Sequence, residues 1–178
     1  MKSRPQITMN KIIFLDFDGV LNTEHYQGLL QYHGKSWQDE YGAFFDPNAV
    51  KQLKRIVDAT GADIVIESSW KYLGLDAMKE LWEIRKLPGR VIDITPSSVS
   101  DEYLSNVDLD NLDASMLHCK GLEISSWLSK KGQSNTRYVI IDDEYVVLES
   151  QSSNFILTNP YEGITEEQAN KIISILNE

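Results

Sequence analysis

A single cysteine, Cys119, stands in this chain of 178 residues. It excludes an internal disulfide and any cysteine-rich zinc centre. Histidine is scarce too: His25, His33 and His118 show no metal-ligand spacing and read as structural or exposed. Positive charge is in deficit. Lys plus Arg number 17 against 27 Asp plus Glu, a formal net charge of −10. That balance argues against a broad electrostatic grip on nucleic acid, while leaving room for a small local basic site. No apolar run approaches the ~18 residues needed to cross a bilayer. Residues 1–10 lack the apolar segment of a signal peptide, so a cytoplasmic protein with no membrane partner is expected. Repeats and low-complexity linkers are missing as well. What is present is ordinary for a globular chain: 42% apolar and 25% charged residues. The length suits one domain with a real core and is too short for two full enzyme domains.

Residues 1–10 read as a tail or lead-in, and 11–178 as a single domain. Ile12-Ile13-Phe14-Leu15 is a continuous apolar run that stops at Asp16-Phe17-Asp18-Gly19, the pattern of a central parallel strand buried on both faces. Residues 22–45 carry no clear period and are expected to be irregular. Tyr26, Tyr32, Trp37 and Tyr41 crowd there and are read as a satellite core rather than a substrate entrance. Asp46 as N-cap, Pro47 in the first turn and Gly61 at the end frame a helix, with Ala49, Val50, Leu53, Ile56 and Val57 at helical spacing. A second strand, Asp63–Ile66, ends at Glu67-Ser68-Ser69. A helix over about 75–86 and a weaker strand over 90–94 follow. Residues 95–118 are polar and acidic and read as a loop or flap. Gly121 to Lys131 is expected to be helical, burying Leu122, Ile124, Trp127 and Leu128, with Ser125 and Ser126 outward or weakly packed. Tyr138–Ile141 is a strand stopped by Asp142-Asp143, and Phe155–Leu157 is a last strand. Thr165-Glu166-Glu167-Gln168 has capping-box spacing for a final helix with Ala169, Ile172, Ile173 and Leu176 as its stripe. Strands alternating with helices predict an α/β fold, a Rossmann-like, mostly parallel sheet flanked by helices.

In an open parallel sheet, ligands bind beyond the carboxyl ends of the strands. Three strands end in polar groups there: Asp16-Phe17-Asp18-Gly19, Ser68-Ser69 and Asp142-Asp143. If those strands are neighbours, the carboxylates gather in one crevice. Unless paired they must be pushed up in pKa or recruit a cation. Hard carboxylate oxygens suit Mg²⁺, and with the ion present the crevice can accept a phosphoryl group.

At this point the residues resemble a family. Asp16-Phe17-Asp18-Gly19-Val20-Leu21-Asn22 after an apolar strand is similar to the DxDG(V/T)L signature of the haloacid dehalogenase (HAD) superfamily, with Ser68, Lys120 and Asp142-Asp143 in the order of its later motifs. Glu67-Ser68-Ser69-Trp70-Lys71, Lys120-Gly121-Leu122-Glu123-Ile124 and the end Asn159-Pro160-Tyr161-Glu162-Gly163 resemble the small HAD group found fused to or beside RNA-repair enzymes. The resemblance implies a HAD-like fold and a Mg²⁺-dependent phosphatase. Asp16 would be the nucleophile, forming an aspartyl-phosphate, and Asp18 the general acid and base. Ser68 would hydrogen-bond the phosphoryl group, with Ser69 its neighbour and competitor, and Lys120 would offset its charge. Gly19 and Asn22 complete the substrate-side loop. Mg²⁺ would be held by Asp16, the Asp18 carbonyl, and Asp142 or Asp143. Lys120 is a departure, since the repair-associated group often has Arg there, and Lys71 competes for its role.

Neither 22–45 nor 95–118 is long enough for a full cap domain, so the resemblance implies an open site roofed by short flaps. An open site admits a large phosphorylated substrate, such as a nucleic-acid end. The alternatives are a non-catalytic HAD-fold interaction module and a small-metabolite phosphatase closed by a partner subunit.

Overall fold

The computed structural model describes residues 10–97 and 119–178. The apolar runs form five parallel strands: β1 (Lys11–Leu15), β2 (Asp63–Ile66), β3 (Val91–Ile94), β4 (Arg137–Asp142) and β5 (Phe155–Leu157). Their order across the sheet is β3-β2-β1-β4-β5. The chain steps outward from β1 to β3, then returns to the other side of β1 for β4. That reversal lies between β1 and β4, where a doubly wound sheet opens a crevice at its carboxyl edge.

Among the described residues five helices accompany the strands: α1 (Glu24–Tyr32), α2 (Pro47–Thr60), α3 (Leu75–Ile84), α4 (Lys120–Lys131) and α5 (Glu166–Asn177). Alternation along β1 divides the core. Ile13 and Leu15 pack with Ala49, Leu53 and Ile56 of α2, Met78 and Leu81 of α3, and Ala169, Ile172 and Leu176 of α5. Ile12 and Phe14 face the other way, toward Ile124 and Trp127 of α4. The Trp127 ring meets Phe14 edge-on at 5.5 Å. Each strand residue of β1 to its end is fully buried from Ile12 onward, which is why these runs carry no polar alternation.

Caps sit where the sequence puts them. Asp46 accepts the Asn48 N–H, Gly61 closes α2 at φ +69°, and Thr165 and Gln168 form a reciprocal capping box on α5. Three expectations need correction. Residues 22–45 are not wholly irregular: α1 starts from Thr23, whose hydroxyl accepts the Tyr26 N–H. The aromatic satellite core does not form as a unit, because Tyr32 is 86% and Trp37 40% exposed, while Tyr41 packs on the main core. Ser126 is fully buried rather than outward, its hydroxyl without a partner among the described residues. His25 and His33 are exposed, as expected; His118 and most of the expected 95–118 flap lie outside the described residues.

The stretch after α1 is drawn back onto α3. Arg85 donates twice to the Asp39 carboxylate, at 3.1 and 2.7 Å, and also to the carbonyls of Gly42 and Ala43. Its guanidinium lies 4.7 Å from the centre of the Phe45 ring. No helix among the described residues is long and apolar enough to cross a membrane.

Candidate functional site

Strand register builds the centre of the site. Leu15 of β1 is level with Ile66 of β2 and Ile141 of β4. One residue further, Glu67, Asp16 and Asp142 fall on the next rung. The Asp16 N–H donates to the Ile141 carbonyl at 3.1 Å, and the Glu67 N–H to the Leu15 carbonyl at 3.0 Å. Leu15, Ile66 and Ile141 all point into the α2–α3–α5 core. Side chains alternate along a strand, so the three acids turn together to the opposite face, where α4 begins. Lys120 opens that helix. Its Nζ lies 2.8 Å from Asp142 Oδ2, 3.4 Å from Asp16 Oδ2 and 3.8 Å from Glu67 Oε2.

Asp143, one residue beyond β4, completes the cluster. Carboxylate oxygens of Asp16, Asp142 and Asp143 lie within 4.8 Å of one another. The loop after β1 is shaped around them. Phe17 is buried against Phe45, Trp70 and Trp82, and its carbonyl accepts from the N–H groups of Val20, Leu21 and Asn22. Gly19 then takes φ +75°, and a Cβ there would stand 2.3 Å from Asp143 Oδ2. Thr158, following β5, donates its hydroxyl to the Gly19 carbonyl at 2.8 Å and fixes the loop from the other side.

Asp18 is exposed, unlike Asp16, and its carboxylate is not among the clustered oxygens. It accepts from Asn22 Nδ2 at 2.8 Å, while Asn22 Oδ1 accepts the Gly19 N–H. Asn22 is therefore engaged within the loop it belongs to. Ser68 is fully buried and Ser69 exposed, which separates the two neighbours. Ser68 Oγ accepts the Trp70 N–H at 3.2 Å, capping a short 3₁₀ turn over Ser69–Leu73 and leaving its own hydroxyl proton free to donate. Lys71, the competitor of Lys120, is removed from the acidic cluster: it donates to Glu123, Thr95 and the Pro96 carbonyl.

Glu67 was not singled out by motif reasoning, yet it stands at the centre. It is 1% exposed and neither of its oxygens meets a hydrogen-bond donor among the described residues. The sequence did hold a signal. Glu67 is the first residue after an apolar run, the position Asp16 holds after Leu15 and Asp142 after Ile141.

Four carboxylates here face one ammonium. Burial pushes Asp16 up to about 7, partly countered by Lys120 and reinforced by Asp142 and Asp143. Burial and the adjacent Asp142 raise Asp143 to about 6. Glu67 is pushed well above the carboxylate range, again chiefly by burial. Burial acts on Asp142 too, but contacts with Glu67 and Lys120 outweigh it and hold Asp142 low. For Lys120 burial is outweighed by Glu67, Asp16 and Asp142, which raise it. A buried cluster with this excess of negative charge and hard oxygen donors is suited to a small divalent cation.

Searches of curated proteins and of solved structures found no significant match. The family comparison is positive: the model of the HAD domain in Swiss Army Knife RNA repair proteins matches residues 12–169. Its span runs from β1 into α5 and takes in every strand and each acid of the cluster, and the chain belongs to that family.

Proposed function

We propose that the chain is a Mg²⁺-dependent phosphatase, hydrolysing phosphomonoesters through an aspartyl-phosphate on Asp16. The observation that carries this reading is the meeting of Asp16, Asp142 and Asp143 within 4.8 Å of one another beside Lys120, at the point where strand order reverses. HAD domains as a family support a phosphatase-type activity.

Asp16 attacks phosphorus, and the bond to the leaving oxygen breaks. Asp18, exposed at the mouth of the loop, gives that oxygen its proton. It then takes a proton from the water that hydrolyses the aspartyl-phosphate, releasing inorganic phosphate and restoring Asp16. Ser68 donates its free hydroxyl proton to a phosphoryl oxygen. Lys120 offsets charge on the transferred group as a point charge. Mg²⁺ would be held by Asp16, Asp142 and Asp143, with the Asp18 carbonyl. When bound it supplies the positive charge that keeps Asp16 ionised and draws the phosphate in. Both carboxylates of the first motif are present, which a purely binding module does not need.

The substrate we infer is the phosphorylated end of a nucleic acid. What supports it is the family's printed association with RNA repair. The test is hydrolysis of an aryl phosphate and of end-phosphorylated oligonucleotides, with and without Mg²⁺. Turnover is expected to vanish on adding EDTA and in Asp16→Asn. Activity that survives either treatment removes the mechanism, and a preference for small phosphate esters removes the substrate.

A further inference from the structure

We propose that Glu67 is a positioning residue for Lys120: it keeps the ammonium beside Asp16 once Asp16 and Asp142 turn to a cation. The inference rests on the metal-site reading above. Among the described residues Lys120 Nζ has three acidic neighbours, Asp142, Asp16 and Glu67, at 2.8, 3.4 and 3.8 Å. The first two belong to the cluster of oxygens that fits a cation. A divalent ion and the ammonium therefore compete for the same two carboxylates, and they repel each other. Glu67 is the neighbour left outside that cluster.

Three features make it the retaining group. Both of its oxygens lack a hydrogen-bond donor, so it has accepting capacity to spare. At 1% exposure it is shut off from bulk solvent, and a buried carboxylate needs a partner. The register also fixes its place: Glu67 follows β2 on the same rung as Asp16, on the opposite side of Asp16 from Asp142. A lysine that leaves Asp142 for Glu67 stays alongside Asp16 throughout.

Without the Glu67 carboxyl group, Lys120 has, among the described residues, only the cation's own ligands to pair with. It then holds Asp142 against the incoming ion. The test is Mn²⁺ binding to the full chain, read from the electron paramagnetic resonance signal of the free ion, since carboxylate sites that take Mg²⁺ also take Mn²⁺. Glu67→Gln, which keeps volume, is expected to weaken binding roughly tenfold or more, the loss usual when a ligand's supporting contacts are removed. Lys120→Met is expected to bind at least as tightly as the parent chain. In the Lys120→Met background, the effect of Glu67→Gln is expected to shrink by more than half on a logarithmic scale.

Equal binding by Glu67→Gln and the parent overturns the proposal. So does the same fold-loss with and without Lys120, which would make Glu67 a direct ligand or a diffuse charge. If the parent chain binds no Mn²⁺, the metal site itself falls and this inference with it. If it binds and the cycle shows no coupling, only this inference falls. Melting curves establish that each variant folds. Where Glu67→Gln does not fold, Glu67→Asp is read by the same criterion.

Discussion

Gly19 and Asp143 meet where the loop after β1 turns over the acidic cluster, and the contact leaves no room for a side chain. A Cβ at Gly19 would sit 2.3 Å from Asp143 Oδ2 on a backbone at φ +75°. Left-handed backbone alone costs a non-glycine residue about 1–2 kcal/mol. Gly19→Ala should therefore lower unfolding free energy by at least that much in a denaturant titration, and displace Asp143 enough to weaken Mn²⁺ binding. A variant with parental stability and parental metal affinity would show that the loop has slack the contact denies. The acids themselves predict a pH profile. Asp16 and Asp143 are raised to about 7 and about 6, so the folded chain favours their protonated forms. Their stabilising contribution is complete below their ordinary value of 3.8 and is lost as pH climbs through about 7. The metal-free chain should melt at falling temperature between about pH 4 and about pH 7, and saturating Mg²⁺ should flatten that fall, because the dication favours ionised carboxylates. A melting temperature that rises across the window without metal would contradict the burial assigned to Asp16. Residue identity alone revealed Asp16, Asp142 and Asp143, since each interrupts an apolar run or follows one. It did not reveal Glu67, whose type is as common on surfaces as in sites, nor choose between Ser68 and Ser69, whose directions depend on where β2 stops.

At the scale of elements, Lys71 and Glu123 join the 3₁₀ turn after Ser68 to α4 just after Lys120. Their side chains are only 9% and 14% exposed, and the contact is 2.5 Å. Thr95 and the Pro96 carbonyl fill the remaining positions around the ammonium, tying in the end of β3. Removing one member leaves a buried charge unpaired, at a cost of about 3–5 kcal/mol. Lys71→Met should lose about that much stability by chemical denaturation, and the double variant Lys71→Met/Glu123→Met should recover most of it, since apolar pairs often replace buried ion pairs without loss. Equal destabilisation by single and double variants would mean that Lys71 matters through Thr95 and Pro96 instead. Which elements were legible follows from burial. The strands show because they are buried on both faces, and α2 shows because Asp46, Pro47 and Gly61 mark its ends. The helix α1 was hidden because Leu30 is its sole buried residue, so it carries no apolar stripe to read. The sequence favours Lys120 and leaves Lys71 as its competitor; the packing of α4 on the sheet separates the one that serves Glu123 from the one that faces Asp16.

For the whole molecule, strand order is the property that turns scattered motifs into a site, and no local pattern encodes it. Placing β1 between β2 and β4 brings residues 16, 67 and 142 onto one rung although they are far apart in the chain. Net charge then sets how such a molecule meets a polyanion. At −10, the chain repels nucleic acid at long range. At the site, Lys71 is already paired with Glu123 and Lys120 with Asp142, which leaves little free positive charge to neutralise phosphates along a strand. If a nucleic-acid end is the substrate, recognition must then concentrate on the terminal phosphate and a neighbour. For single strands each neutralised phosphate contributes about −0.7 to the slope of log affinity against log salt, so two give about −1.4. Asp16→Asn, expected not to turn the substrate over, should bind a fluorescently labelled, end-phosphorylated oligonucleotide with a slope no steeper than about −2 in KCl at fixed Mg²⁺. Affinity should barely change as the oligonucleotide is lengthened, and should drop when the terminal phosphate is removed. A slope of about −4 or steeper, or affinity that grows with each added nucleotide, would demand a basic track along the strand that the described surface around this rung does not offer.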